Sequence, residues 1–483
     1  MFRHLIDYIC RYRQKKLVRP WALSAPILVL LIALPLLRPL RMADPDLRHI
    51  SDGEQARLAT VQAIVENHSL AIDATNFTTT AQKIEVADRA GRYRWYSDQP
   101  PMMSAMLSPA YWVMRHNGLT LQCNAPTVLY LLTLLGVTIP AACCAGLVYR
   151  MGRLFELRRP WRALLAAASV LATGAISYST VLSPHVPAAA FLLASAACLV
   201  HLSIAKNRPI TPLWLGTSGV CAALAAAIDP SAIPFLILFP AVIVSLRLSG
   251  LRRAAGLLAY AIGAVGPILV HAALTVPVTH DFWQGIGQPA SANASSARRD
   301  AFDSRDGSEE DDDVTASSWQ QSVGQTLGRL TSALAGEHGL LSHFPVLLMG
   351  VIGGSMIMHR HWPSSAKVLA SATVAGAVFL IVAYSVHLKD WRQWRDAMFA
   401  ARWFIVFSPL MLFWAGAWLR RSHKMMTWVA VGILLTFSVA VSLIGATGPL
   451  PRDGFERYTA ADALGNLLHP PTTTETATSM ADR

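Results

Sequence analysis

Polar and apolar positions are segregated along the whole chain. Eleven runs lack Asp, Glu, Lys and Arg altogether: residues 22–37, 125–148, 163–182, 187–204, 212–228, 231–246, 254–274, 340–358, 368–386, 403–419 and 426–445. Most approach the roughly 20 residues a helix needs to cross about 30 Å of hydrocarbon. An open chain in lipid can satisfy its backbone polar groups only as helix. The pattern predicts an all-α polytopic membrane protein with about 11 transmembrane helices.

The longer polar stretches divide the chain. The expected organisation is a transmembrane unit over residues 1–450 and a tail over 451–483. Within the unit, the first extracytoplasmic loop is expected at 39–124, with a second apolar portion at 102–114 that dips towards the membrane, and the second loop at 275–339. Residues 290–313 are rich in Ser, Ala, Arg and acid, and end in the run Glu309 to Asp313. Such a segment cannot bury apolar surface, so disorder is expected there and in part of the tail. The acidic run lacks the alternating ligands and turn glycine of a calcium loop and reads as a solvated linker.

Composition agrees: 53% of residues are hydrophobic and 14% charged, where soluble domains carry about a quarter charged. The net charge of +12 resides in clusters such as Arg11, Arg13, Lys15 and Lys16, Arg158, Arg159 and Arg162, and Arg420, Arg421 and Lys424. With an odd number of crossings these fall on the side of the N-terminus, which the positive-inside rule makes cytoplasmic. The charge is therefore a topology signal and no nucleic-acid partner is implied. The expected location is the cell (inner or plasma) membrane, with the first loop outside. Leu37-Arg38-Pro39-Leu40 offers no small-residue cleavage site, so a removable secretory signal is not expected. The six cysteines show no Cys-x-x-Cys spacing and read as packing residues.

Candidate chemistry concentrates in the first loop. Residues 51–66 read as an amphipathic helix, with Leu58, Val61, Ile64 and Val65 at helical spacing. Ser51-x-x-Glu54 is a capping box, and Arg57 can pair with Glu54 across one turn. Tyr96-Ser97-Asp98-Gln99-Pro100-Pro101 enters the portion at 102–114, its prolines setting an extended backbone before a helix. His185, between Pro184 and Val186, reads as a turn residue. Asp229 reads as a cap for the following helix, although an acid at membrane depth is also a functional suspect.

Together these pieces resemble the integral-membrane glycosyltransferases of the GT-C fold, the superfamily of protein mannosyltransferases and aminoarabinose transferases. Asp52-Gly53-Glu54-Gln55-Ala56-Arg57 resembles their acidic motif after the first span, and Tyr96–Pro101 with Met106–Tyr111 resembles their aromatic-x-x-Lys-Pro segment. Softer likenesses are Leu341–Val346 and Ala401-Arg402-Trp403-Phe404. Two departures stand out. Gly53 splits the acidic pair, leaving Asp52 and Glu54 both open as base, and Gln99 replaces the Lys.

The resemblance implies a sugar donor on a polyprenyl phosphate, a lipid, glycan or protein acceptor, and inverting transfer of a hexosyl or pentosyl group at the outer face. A phosphate leaves as a stabilised anion, so one carboxylate acting as base suffices. Glu54 would be that base. Asp52 and Asp98 would orient it, or Asp52 and Glu54 would hold a divalent metal, the one cofactor left open. Arg57, Arg94 and Arg402, with Tyr96 and Asp98, would bind substrate and phosphate. The alternatives are a transporter or lipid flippase, which would place ionisable groups in mid-span, and a non-catalytic membrane protein. In the last case the two loop motifs need not meet.

Overall fold

The computed structural model describes residues 20–42, 50–81, 83–87, 93–204, 211–279, 318–336, 339–359, 362–387, 399–400, 402–421 and 424–447. The expectations for residues 290–313, for the basic N-terminus and for the tail lie outside the described residues.

Each of the eleven apolar runs forms helix, but not all to full length. Among the described residues, seven helices are long and apolar enough to cross a membrane: Pro20–Leu37, Ala125–Phe155, His185–Ile204, Thr211–Ile228, Gly250–Val278, Ser364–Ser385 and Met425–Ala446. The other four runs are short or broken, for local reasons. The run at 163–182 holds α-helix only within Arg159–Leu171, with a separate 3-10 turn at Ser177–Thr180. It then turns at Gly174, whose φ is +74° and whose missing Cβ would meet the Phe344 ring at 2.6 Å. The run at 340–358 breaks at Phe344 and Pro345, between Leu340–His343 and Leu347–Met358. The run at 231–246 begins as a 3-10 turn, Pro230–Ala232, and continues as Ile233–Ser245 with Pro240 inside. The run at 403–419 is split into Ser408–Phe413 and Ala415–Leu419.

Small residues let these helices touch. A Cβ on Gly219 would lie 2.0 Å from the Tyr260 carbonyl oxygen, and one on Gly263 2.1 Å from that of Gly216. The helices Thr211–Ile228 and Gly250–Thr279 therefore meet backbone to backbone, the close approach that glycine permits in apolar bundles.

The first loop folds as three elements against the bundle: α1 (Asp52–Asn67), a hairpin of β1 (Lys83–Ala87) and β2 (Tyr93–Ser97), and α2 (Pro101–His116). The capping box and the proline-led start of α2 form as the sequence predicts. Two things differ. First, α1 is not half-exposed like an amphipathic helix: every residue from Ala56 to Ala63 is buried. Its polar residues tolerate this because they are satisfied. Thr60 donates to the Ala56 carbonyl at 2.9 Å, Gln62 donates to Glu66 at 2.9 Å, and Gln62 accepts the Asn76 amide at 3.1 Å. From α2, Ser104 donates to the Arg57 carbonyl at 3.1 Å and Tyr111 to the Glu66 carboxylate at 2.5 Å. Second, the antiparallel hairpin, in which Tyr96 pairs with Ile84 and Arg94 with Val86, was not predicted. Asp73 pins it from outside by accepting the Trp95 amide at 2.9 Å.

Candidate active site

Ser51 caps α1 in extended backbone, its hydroxyl accepting the Glu54 amide at 3.3 Å while Glu54 Oε2 accepts the Ser51 amide at 3.3 Å. The reciprocal bonds satisfy two N–H groups that a helix start leaves free. Glu54 Oε1 reaches much further, accepting the Leu182 amide at 2.5 Å from a residue 128 positions away. With 2% of its surface exposed, Glu54 is a buried carboxylate committed to backbone donors at both oxygens.

One turn on, Arg57 closes the same junction. Its Nη1 donates to the Gly53 and Leu182 carbonyls, each at 3.1 Å, and its Nη2 donates to Gln99 Oε1 at 2.7 Å. Leu182 thus gives its N–H to the acid and its C=O to the base of one helix turn. Burial draws the Arg57 pKa down to about 10, although the negative charges of Glu54 and Asp98 act the other way. It remains a cation at neutral pH.

Gln99 links Arg57 to the second motif, donating from Nε2 to Asp98 Oδ1 at 3.0 Å. Burial pushes the half-buried Asp98 carboxyl above the usual Asp range, against the hydrogen bond from Gln99 and the charge of Arg57. Beside this link lies a cleft lined by Thr60, Leu70, Tyr96, Ser97, Gln99, Pro101, Leu274 and Val278. Its walls come from α1, the hairpin, the start of α2 and the last turns of Gly250–Thr279.

The residues singled out from sequence fall into three groups. Glu54, Arg57, Asp98 and Gln99 are brought together, and Tyr96 lines the adjoining cleft. Arg402 opens a 3-10 turn, packs its guanidinium 5.0 Å from the Trp403 ring centre, and lies near enough for its charge to oppose that of Arg57. Asp52 sits in the first turn of α1 with its surface exposed, and its charge is felt at Asp98. Arg94 sits half-buried on β2 opposite Val86, and among the described residues the Arg57 side chain bonds Gly53, Leu182 and Gln99 and not Arg94. Among the described residues no three His, Cys, Asp or Glu side chains gather as ligands. Glu54 turns its oxygens to backbone donors, and no step below is routed through a metal ion.

A second polar group lies nearby that the sequence reading treated as structural. His185 begins the helix His185–Ile204 and is bonded through Nδ1 to Asp229 Oδ2. Asp229 does cap the following turn, Oδ1 accepting the Ser231 amide at 2.9 Å. Burial alone would raise the Asp229 pKa, but the charge and hydrogen bond of His185 hold it below the usual range. Ser231 in turn bonds the Tyr384 hydroxyl at 2.8 Å, and the Tyr384 ring stacks on Trp403 at 5.6 Å. The only sequence signal for this group was an acid placed between two apolar runs.

No protein-family model and no curated protein matches the sequence. Among solved structures, the fold is similar to ArnT from Cupriavidus metallidurans bound to undecaprenyl phosphate, with 15% identity and a TM-score of 0.47 over 87% of this chain and 69% of that one. It is also similar to the oligosaccharyltransferase AglB from Archaeoglobus fulgidus in complex with an inhibitory peptide and a dolichol-phosphate, with 12% identity and a TM-score of 0.48 over 94% of this chain. The apo form of the Archaeoglobus fulgidus oligosaccharyltransferase is similar at 10% identity and a TM-score of 0.47. This chain spans 59% of the length of both archaeal structures.

Proposed function

We propose that the chain is a membrane glycosyltransferase, moving a sugar from a polyprenyl-phosphate donor to an acceptor hydroxyl at the outer membrane surface with inversion. The observation that carries this reading is the hydrogen bond of 2.7 Å between Arg57 and Gln99. It joins the two loop motifs beside a cleft, whereas a non-catalytic scaffold has no reason to bring them together. The same bond puts a desolvated cation and an accessible carboxylate within one small region, the arrangement that phosphate departure and hydroxyl attack require.

The roles follow from burial. A base needs a lone pair that the acceptor can reach, and Glu54 is buried, with one lone pair of each oxygen already turned to Leu182 or Ser51. This supports assigning the base to Asp52, exposed on the first turn of α1, with Glu54 as the residue that positions that turn. Asp52 takes the acceptor proton as the acceptor oxygen bonds to the anomeric carbon. The bond from that carbon to the phosphate oxygen breaks, and the phosphate leaves with the electron pair. Arg57 and Arg402 offset its growing charge, and Tyr96 and Gln99 border the sugar.

The test is transfer of label from polyprenyl-phosphate sugars to a panel of acceptor glycans, lipids and peptides by the purified full-length protein. Wild type is expected to transfer label, and Asp52→Asn to lose transfer while melting at the same temperature. Turnover retained by Asp52→Asn would move the base to another residue, and a wild-type protein inert with every donor overturns the reading.

A further inference from the structure

We propose that the end of the bundle where residues 150–164 meet residues 414–429 binds an anionic phospholipid. Its headgroup phosphate would lie against Arg158, Arg159, Arg421 and Lys424, and its glycerol and upper acyl chains against Trp161 and Trp428. The inference uses neither the candidate active site nor the polyprenyl-phosphate donor, so either can fail without the other.

Two basic clusters distant in the chain are brought together here. Arg420 Nη2 donates to Glu156 Oε2 at 2.6 Å, and the Trp161 ring stacks on Trp428 with centroids 5.1 Å apart. Arg158 and Arg159 lie between those contacts on one segment, Arg421 and Lys424 between them on the other. All four are exposed, and none of their side chains bonds another described residue. The two segments hold eight Arg and Lys and a single acid, Glu156, which Arg420 already takes. Each segment also starts a helix. Arg158 precedes Arg159–Leu171 and Lys424 precedes Met425–Ala446, and neither side chain caps. Cations at the positive end of a helix are unfavourable, and like charges gathered without counter-charges repel. A bound anion offsets both.

The surface beside the cations identifies the anion. Trp418 backs Trp428 edge-on at 4.9 Å, which braces the stacked pair as a shelf. Trp161 is 37% exposed, and Leu164, Met425 and Val429, all within one turn of the two stacked indoles, are exposed as well. Tryptophan marks headgroup depth, and cations on one side of it with apolar side chains on the other match the profile of a phospholipid. An acidic peptide in water would leave the apolar side uncovered. A topology signal needs only net charge in each loop and requires neither the meeting of the clusters nor the shelf.

Native mass spectrometry of the purified full-length protein, titrated with phosphatidylglycerol and separately with phosphatidylcholine, reads the affinity. Wild type is expected to bind phosphatidylglycerol about tenfold more tightly than phosphatidylcholine. Arg158→Gln with Arg159→Gln should weaken phosphatidylglycerol about tenfold and leave phosphatidylcholine unchanged. Arg247→Gln with Arg252→Gln removes the same charge from residues outside this contact and should stay within about threefold of wild type. Equal binding of the two lipids by wild type overturns the proposal, and so does equal loss in the two double variants, which would show diffuse attraction to charge. If the Arg158 and Arg159 variant does not fold, Trp161→Ala, which keeps every charge, decides. It should bind phosphatidylglycerol about threefold more weakly, and wild-type affinity in it overturns the proposal.

Discussion

Glu54 accepts the Leu182 amide at 2.5 Å, and that bond fastens the first turn of α1 to the segment leading into the helix His185–Ile204. Both partners are buried, so the bond cannot be replaced by water. Glu54→Ala leaves the Leu182 and Ser51 amides without acceptors and removes half of a capping box. Its expected cost is on the order of 2 kcal/mol, seen as a lowered melting temperature in detergent. Asp52→Asn, on an exposed position of the same turn, should shift stability by no more than about 0.5 kcal/mol. Equal melting of the two variants would mean that Glu54 does not hold the turn.

Arg57 and Gln99 should be energetically coupled. A double-mutant cycle of Arg57→Lys with Gln99→Ala is expected to give a coupling of about 1–2 kcal/mol in chemical denaturation, because a lysine ammonium lacks the planar fork that reaches Gly53, Leu182 and Gln99 together. Strict additivity of the two single variants would show that the bond contributes nothing.

Asp98 gives a pH signature. Burial raises its pKa in the folded protein, so folding favours the protonated form. The contribution is fully present below the unfolded value, about 3.9, and is lost as pH rises through the higher folded value. Asp98→Asn should therefore melt above wild type at neutral pH, and the gain should vanish below about pH 3.9. A melting difference that is flat across that range would contradict the assignment.

Gly174 is held with φ of +74° against the Phe344 ring. An alanine there meets backbone strain of about 1–2 kcal/mol and must also displace the ring. Gly174→Ala should lower the melting temperature more than Gly432→Ala, whose added Cβ meets nothing within 4 Å. Reversal of that order would show that the Phe344 contact is slack.

What could be read from sequence was what depends on near neighbours. Ser51 and Glu54 lie three apart, so their reciprocal cap was visible, as was the proline-led start at Pro101. Apolar runs marked where helices form but not where they stop, since the breaks depend on distant contacts such as Phe344 on Gly174. Leu182 was invisible because it acts through its peptide group, and any residue there except proline has the same N–H and C=O. The hairpin had a local signal, Asp88 and Gly91 between two short segments, but Tyr93–Ser97 lacks a clean apolar alternation and takes its register from Ile84 and Asp73. His185 and Asp229 meet across 44 positions, which no local spacing announces.

The cleft has two walls of different origin. One belongs to α1, the hairpin and α2, and the other is Leu274 and Val278, near the end of Gly250–Thr279, whose last turn carries Pro277. The bonds from the Arg57 side chain run to Gly53, Leu182 and Gln99 and not to that helix end. Gln99 belongs to both the cleft and the charged centre, since it lines the one and accepts the bond from Arg57 in the other. A displacement of that one side chain would therefore alter the wall of the cleft, the Arg57 bond and the Asp98 bond together.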